Sequence, residues 1–210
     1  MSEVLSPSSR MLSVGIFVFD DVEVLDFAGP YEVFTTASRV QQRLQAGAVA
    51  PFSVFTVSSA GQAVRARAGL SVNPDYAFSS HPAIDVLLIP GGVVTQVLRM
   101  PEVTDWIKAM SAQAGLTASV CTGSFLLGQV GLLDGKTCTT HWEDVDDMRQ
   151  MFPAVTVVDN RRWVDEGRLI TSAGISAGID MSLHLVERLA GRGLAEKTAR
   201  QMDFDWQENV

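Results

Sequence analysis

Two stretches of this chain are apolar without interruption for the length of a β-strand: Val14-Gly15-Ile16-Phe17-Val18-Phe19 and Val86-Leu87-Leu88-Ile89. A strand with no polar face must be covered on both sides, which points to a parallel sheet between layers of helices. The segments between the strands agree. Gly29-Pro30 suits a helix start with Pro30 at the first helical position, followed by Val33, Phe34 and Ala37 on one face. Residues 103–114 form a second amphipathic pattern, residues 142–151 a third, and Ile175, Ile179, Leu183, Val186 and Leu189 recur at helical spacing before a last helix near 194–203. Further strands are expected at 52–57, 116–120, 137–140, 154–158, 162–164 and 169–171, the last two bracketing a turn at Asp165-Glu166-Gly167, with a small hairpin at 64–72. Strands alternating with helices define an α/β sandwich with a mostly parallel sheet.

The 210 residues suffice for one domain, expected over 12–210 behind a flexible lead-in at 1–11. With 47% hydrophobic and 19% charged residues, the chain is expected to be globular, and no apolar run is long enough to span a bilayer. The first ten residues lack the apolar centre of a secretory signal, so a cytoplasmic location is expected. A net charge of -8 without a basic cluster argues against nucleic acid, and the end at Val210 is expected to leave no room for DNA-binding helices. Two cysteines make no disulfide framework, and Cys138 reads as an ordinary strand residue. No metal site is expected, because His81, His141 and His184 are scattered. Neither a Walker loop nor a GxGxxG cradle is present, so no nucleotide cofactor is implied.

The chemistry concentrates at Leu116-Thr117-Ala118-Ser119-Val120-Cys121-Thr122-Gly123-Ser124-Phe125, a strand running into a helix with a cysteine at the turn. Such an elbow presents a nucleophile, and amides opening the next helix are expected to lower the thiol pKa. Small residues, Gly123 among them, let the chain reverse and a substrate approach. Thr122 either adds a hydroxyl and an amide near the developing charge or caps the helix. Asp26 is expected on a loop past the first strand. It reads either as a proton shuttle among apolar Leu25 and Phe27 or as a carboxylate bonding its own turn. Pro90-Gly91-Gly92 offers bare backbone to a ligand. His141 lies where a loop could return to the elbow, or else is structural; Glu143, Asp144, Asp146 and Asp147 steer a cationic ligand or form a solvated helix face.

Taken in order, Leu25-Asp26-Phe27-Ala28-Gly29-Pro30, Ile89-Pro90-Gly91-Gly92, Val120-Cys121-Thr122-Gly123-Ser124, Thr139-Thr140-His141-Trp142 and Gly174-Ile175-Ser176-Ala177-Gly178-Ile179-Asp180 resemble the ThiJ/PfpI superfamily, within the class I glutamine amidotransferase-like group. The branch most similar is that of the isocyanide hydratases. The resemblance implies a flavodoxin-like fold, usually a homodimer, with Cys121 as nucleophile, Asp26 as acidic partner and Thr122 assisting. Gly91, Gly92, Gly123 and His141 are the implied substrate-side residues. PfpI-type peptidases carry His after the cysteine, where this chain has Thr122. ThiJ-type glyoxalases and deglycases carry Glu on the first loop, where it has Asp26. The implied activity is that of a cofactor-independent lyase that hydrates an isocyanide through a cysteine thioimidate. The alternatives are a glyoxalase or deglycase, or a ligand-sensing or redox-responsive domain like that of AraC-type regulators.

Overall fold

A computed structural model describes residues 10–209. The apolar runs become the middle of a seven-stranded sheet among the described residues. In chain order the strands are β1 (Leu12–Phe17), β2 (Phe52–Ser58), β3 (Val64–Arg65), β4 (Ser71–Val72), β5 (Tyr76–Ala77), β6 (Val86–Ile89), β7 (Leu116–Val120), β8 (Thr137–Cys138), β9 (Thr156–Val157), β10 (Trp163–Asp165) and β11 (Leu169–Ser172). The helices are α1 (Val24–Leu44), α2 (Pro101–Gln113), α3 (Gly123–Gln129), α4 (Val145–Met151), α5 (Ala177–Ala190) and α6 (Arg192–Gln201).

The main sheet runs β10-β11-β7-β6-β1-β2-β5, parallel except for the β10–β11 hairpin. β3 and β4 pair as the expected hairpin, and β8 and β9 as a separate parallel ribbon. All four residues of β6 and all five of β7 are buried, as strands covered on both faces require. Helices α1, α5 and α6 pack on one another as one layer, and α2 packs with α3 in the other. The chain leaves β1 towards β2, then returns to add β6 on the opposite side. The strand order therefore reverses between β1 and β6, and crevices at such a reversal, beyond the C-terminal strand ends, are where open α/β sheets bind ligands.

Several expectations need correction. The first strand is Leu12–Phe17 rather than 14–19; Val18 and Phe19 continue buried beyond it. α1 does not begin at Gly29-Pro30 but at Val24, with Pro30 inside it. Proline there forgoes one hydrogen bond, to the Asp26 carbonyl. Burial of Phe27, Val33, Phe34, Ala37 and Val40 along the same helix outweighs that loss. Asp26 consequently lies in the first turn of α1 and not on a loop. Of the expected lead-in, residues 1–9 fall outside the described residues. Arg10 is fixed by an ion pair with Asp85 at 2.6 Å. β5 was not foreseen. No described helix is long and apolar enough to cross a membrane.

Candidate active site

Two loops and a helix start meet beyond the strand ends. β7 delivers Cys121, β6 delivers Gly91 and Gly92, and the first turn of α1 delivers Asp26. Cys121 is 7% exposed and adopts a left-handed backbone, φ 57°, an uncommon conformation for a residue with a Cβ. The turn is held by its own hydrogen bonds: the Cys121 amide donates to the Ser172 carbonyl at 3.1 Å, and the Thr140 hydroxyl donates to the Cys121 carbonyl at 3.0 Å. Ser124 bonds that same carbonyl through its hydroxyl at 3.1 Å.

Asp26 is wholly buried. Its Oδ2 accepts from the Gly91 amide at 3.0 Å, and its Oδ1 has no hydrogen-bond partner of normal geometry. The Cys121 thiol faces the carboxyl and acts on it as a donor. Burial is the main influence on this group, lifting the Asp26 pKa from the ordinary 3.8 to about 7 against the opposing Gly91 bond. The Glu23 charge pushes the same way, and Arg67, paired to Glu23 at 3.1 Å, pulls weakly back.

The thiol does not follow the expectation of a low pKa. Burial, then the neighbouring Asp26 charge, pushes Cys121 up to about 12; the amides of Thr122 and Ile175 draw it down and are outweighed. The helix that was to activate it is a seven-residue piece, so it adds little more than its first amides. Cys121 and Asp26 are therefore a buried thiol beside a carboxyl that ionises near neutrality, and a proton on sulfur has an adjacent base to receive it.

Thr122 spans the gap between elbow and loop. Its hydroxyl donates to the Gly92 carbonyl and accepts from the Gly92 amide, both at 2.9 Å, and makes no side-chain cap on α3. These bonds occupy the amides of the Gly91-Gly92 loop, whose backbone at Gly92 still lines a cavity. The Gly91 amide belongs to Asp26 and the Gly92 amide to Thr122. Why glycine is needed there is steric. A Cβ on Gly91 would stand 2.6 Å from the Thr122 amide nitrogen and 2.9 Å from Asp26 Oδ2. Gly92 has φ 139°, and a Cβ there would meet the Asp21 carbonyl. Gly123 is equally confined, its missing Cβ facing the Ile89 and Pro90 carbonyls.

His141 is near the elbow in the chain but is engaged elsewhere. Its Nδ1 accepts from the Glu143 amide at 3.3 Å and lies 3.4 Å from an Asp144 carboxylate oxygen, while its ring packs on Gly174. No bond joins it to Cys121 or Asp26 among the described residues. Ile175 was not foreseen. It holds φ 46°, an outlier for a β-branched residue, and this turns its amide onto the Cys121 sulfur. The only sequence signal was the Gly174-Ile175-Ser176-Ala177-Gly178 run, which shows flexibility but not which amide points where.

A cavity of about 810 Å³ opens beside Thr122 and Gly92, lined by apolar Leu98 and Phe125 and by charged Arg99, Asp144 and Asp147. Two of the four acidic residues read as a possible solvated face thus line it. Exposed Trp142 (72%) lies beside His141, and exposed Val93 and Met151 line the cavity itself. No described group of three or more His, Cys, Asp or Glu side chains is placed to hold a metal.

Residues 12–188 match the DJ-1/PfpI family, and the chain belongs to it. It is 37% identical over 194 residues to the isonitrile hydratase of Pseudomonas putida, covering 92% of this chain and 78% of that one; isonitrile is a synonym of isocyanide. It is 33% identical to the HTH-type transcriptional regulator GbdR of Pseudomonas aeruginosa over 92% of its own length, but spans only 51% of that regulator. Among solved structures, a ThiJ/PfpI family protein from Pseudomonas syringae superimposes with a TM-score of 0.81 at 26% identity, covering 97% of this chain and 78% of that one. Drosophila melanogaster DJ-1beta superimposes with a TM-score of 0.77 at 21% identity, over 94% and 100% respectively, and supports the fold.

Proposed function

We propose that this protein is an isocyanide hydratase, a lyase that adds water to R-N≡C to give the formamide R-NH-CHO. The observation that carries the reading is the buried thiol of Cys121 against the Asp26 carboxyl, whose pKa of about 7 lets it both take and return a proton at working pH. The similarity to the Pseudomonas putida isonitrile hydratase supplies the substrate class.

Asp26, ionised, takes the thiol proton as sulfur attacks the terminal isocyanide carbon. A C-S bond forms, the proton passes from Asp26 to that carbon, and the product is the thioimidate R-N=CH-S attached to Cys121. Water then adds to the same carbon, with Asp26 accepting one of its protons and the nitrogen gaining one. Cleavage of the C-S bond releases R-NH-CHO, and the thiol recovers its proton from Asp26. Every atom of isocyanide and water is accounted for, and one nucleophile with one proton carrier suffices. The Thr122 and Ile175 amides, drawn to sulfur, stabilise the thiolate while it forms and when it leaves. Thr122 and the glycines at 91, 92 and 123 act by position, fixing Asp26 against the elbow, and His141 lies against Asp144, which lines the cavity. No metal or organic cofactor takes part. A cytoplasmic homodimer is part of the same reading.

The test is direct: incubate the protein with cyclohexyl isocyanide in chelator-treated buffer and follow N-cyclohexylformamide. Formamide above the protein-free rate, lost in Cys121→Ala, is the expected result. Loss of activity in chelator would remove the cofactor-free mechanism, and turnover of methylglyoxal with no isocyanide hydrated would move the assignment to the glyoxalase branch. A second reading, a ligand-sensing domain, is favoured by the similarity to GbdR and by a TM-score of 0.77 with an AraC family regulator from Pseudomonas putida. Saturable binding of an isocyanide or formamide without turnover would select it.

A further inference from the structure

The first turn of α5 touches both halves of the site. On one side it meets the elbow: a Cβ on Gly178 would stand 2.7 Å from Cγ1 of Val120, the residue before Cys121. On the other it meets the helix of Asp26: a Cβ on Gly29, one turn beyond Asp26 on α1, would stand 2.9 Å from Ile179 Cγ1. Just ahead of this turn lies Ile175, whose left-handed backbone aims its amide at the Cys121 sulfur. A backbone in that region persists only where its surroundings fix it, and the fixing groups can be named.

Asp180 lies in the same turn. Its side chain is wholly buried and both oxygens are bonded. Oδ2 accepts from Arg162 Nε at 2.8 Å and from a terminal nitrogen of the same guanidinium, and Oδ1 accepts from the Gln207 amide at 2.7 Å. The Trp206 indole donates to the Asp180 carbonyl at 3.2 Å. Arg162 also grips the other end of the segment, its carbonyl accepting from the Ala173 amide at 2.8 Å. Ile175 is thus bracketed by two contacts of one arginine, at residues 173 and 180. The tail holds that arginine in turn: the Asn209 side chain accepts from the Arg162 amide at 3.1 Å and donates to the Trp163 carbonyl at 2.6 Å. A buried carboxylate is costly unless it is paired and fully bonded. A pin for the tail alone could sit anywhere along α5, whereas this one sits in the turn that the elbow and α1 share.

We infer that Asp180 is a positioning residue for the chemistry at Cys121: locked by Arg162 and by the tail at 206–209, it holds the start of α5 where the Ile175 amide meets the sulfur. Asp180 acts through that amide, which stabilises the thiolate as it forms and leaves. The inference deepens the hydratase reading and rests on it for the kinetics alone. One consequence is that Gln207, an exposed residue, contributes to turnover through its main-chain N–H.

Four variants test this, each followed by hydration of cyclohexyl isocyanide, by melting, and by the amide cross-peak of Ile175 in protein labelled with [15N]isoleucine. Asp180→Asn keeps the shape, but its amide group cannot accept on both sides, so one bond of the lock is lost. Gln207→Pro removes the N–H and Gln207→Ala keeps it. Val186→Ala, at a wholly buried position further along α5, loosens the same helix without touching the lock. Corrected for the folded fraction, kcat should fall about tenfold or more in Asp180→Asn with KM changed by less than about twofold, and the Ile175 peak should move. Gln207→Pro should show part of both effects and Gln207→Ala neither. Val186→Ala should melt lower while keeping kcat and the peak. Parent kcat with an unmoved peak in Asp180→Asn overturns the inference, as does a fall in kcat that Val186→Ala reproduces. Should Asp180→Asn not fold, Gln207→Pro decides by the same criteria. If the parent hydrates no isocyanide, the hydratase reading fails and the peak alone decides: displaced in Asp180→Asn and Gln207→Pro but not in Gln207→Ala, it keeps the positioning role, and unmoved it removes it.

Discussion

Asp26→Asn should make the protein more stable and nearly inactive at once, and both effects should grow as pH rises. The carboxyl is completely buried, with one hydrogen bond to a backbone amide and an unpartnered Oδ1. Its pKa rises from 3.8 in the ordinary state to about 7 in the fold. Between those values the folded chain holds a proton that the unfolded chain has released, so the stability due to this group is fully present below pH 4 and declines as pH rises through about 7. At about 1.4 kcal/mol for each pH unit of displacement, holding the ionised carboxylate in place above neutrality costs about 4 kcal/mol. Asparagine keeps the shape and can still accept from the Gly91 amide, and it carries no charge to desolvate. At pH 8 the variant should therefore gain up to about 4 kcal/mol, on the order of 10 °C in melting temperature for a chain of this size, and at pH 4 the gain should vanish. Formamide release should fall by about 10²-fold or more at pH 7 and above, where the parent carboxyl is ionised, and by less at lower pH, where the parent carboxyl is itself protonated. Thermal melts of both proteins from pH 4 to pH 8, beside the formamide assay, check this. A melting difference that does not grow with pH would refute the buried-carboxyl account, and near-parent turnover would refute the role of Asp26 as proton carrier.

In the parent, kcat/KM should climb as Asp26 ionises and level off above about 7; a profile flat from pH 5 to 8 would mean that the base is another group. Thiolate absorbance near 240 nm should appear only in strongly alkaline solution, since burial pushes both Cys121 and Cys138 up, to about 12 and 11; half-ionisation of Cys121 below the free value of about 8.5 would restore the helix-amide expectation. His141→Ala should cost less than about tenfold in kcat/KM, because its ring is bound to Glu143, Asp144 and Gly174 rather than to sulfur; collapse of activity would make it the proton carrier instead. Gly91→Ala should abolish turnover, by about 10²-fold or more, because its Cβ must displace Thr122 or Asp26; a variant of normal activity would show that the elbow and Asp26 need not be held together.

How far the sequence led can be judged residue by residue. The strand 116–120 and the elbow at Cys121 were legible because an unbroken small and apolar run followed by glycine admits few other folds. Asp26 was the right residue in the wrong setting. Pro30 usually marks a helix start, and only the tertiary burial of Phe27 and Val33 shows that the helix already includes Asp26. The thiol pKa was misjudged for a related reason. Proximity to a helix start can be read along the chain, whereas the stronger influences, burial and a carboxyl ninety-five residues earlier, are visible only in space. Gly91 and Gly92 were recognised as close-approach positions, but that Asp26 and Thr122 are what their amides meet is visible only in space. β5 is two residues long and takes its identity from pairing with β2. The amide of Ile175 leaves no mark in side-chain chemistry at all.

The left-handed backbone at Cys121 has a practical bearing on anyone selecting variants of this protein. A residue with a Cβ held there costs about 1–2 kcal/mol that glycine would not, so Cys121→Gly should melt higher than Cys121→Ala while being equally inert. Stability at this position runs against chemistry. A library sorted on expression, solubility or heat resistance would enrich chains that have lost the sulfur, and the best-behaved survivors would be those with nothing left to assay.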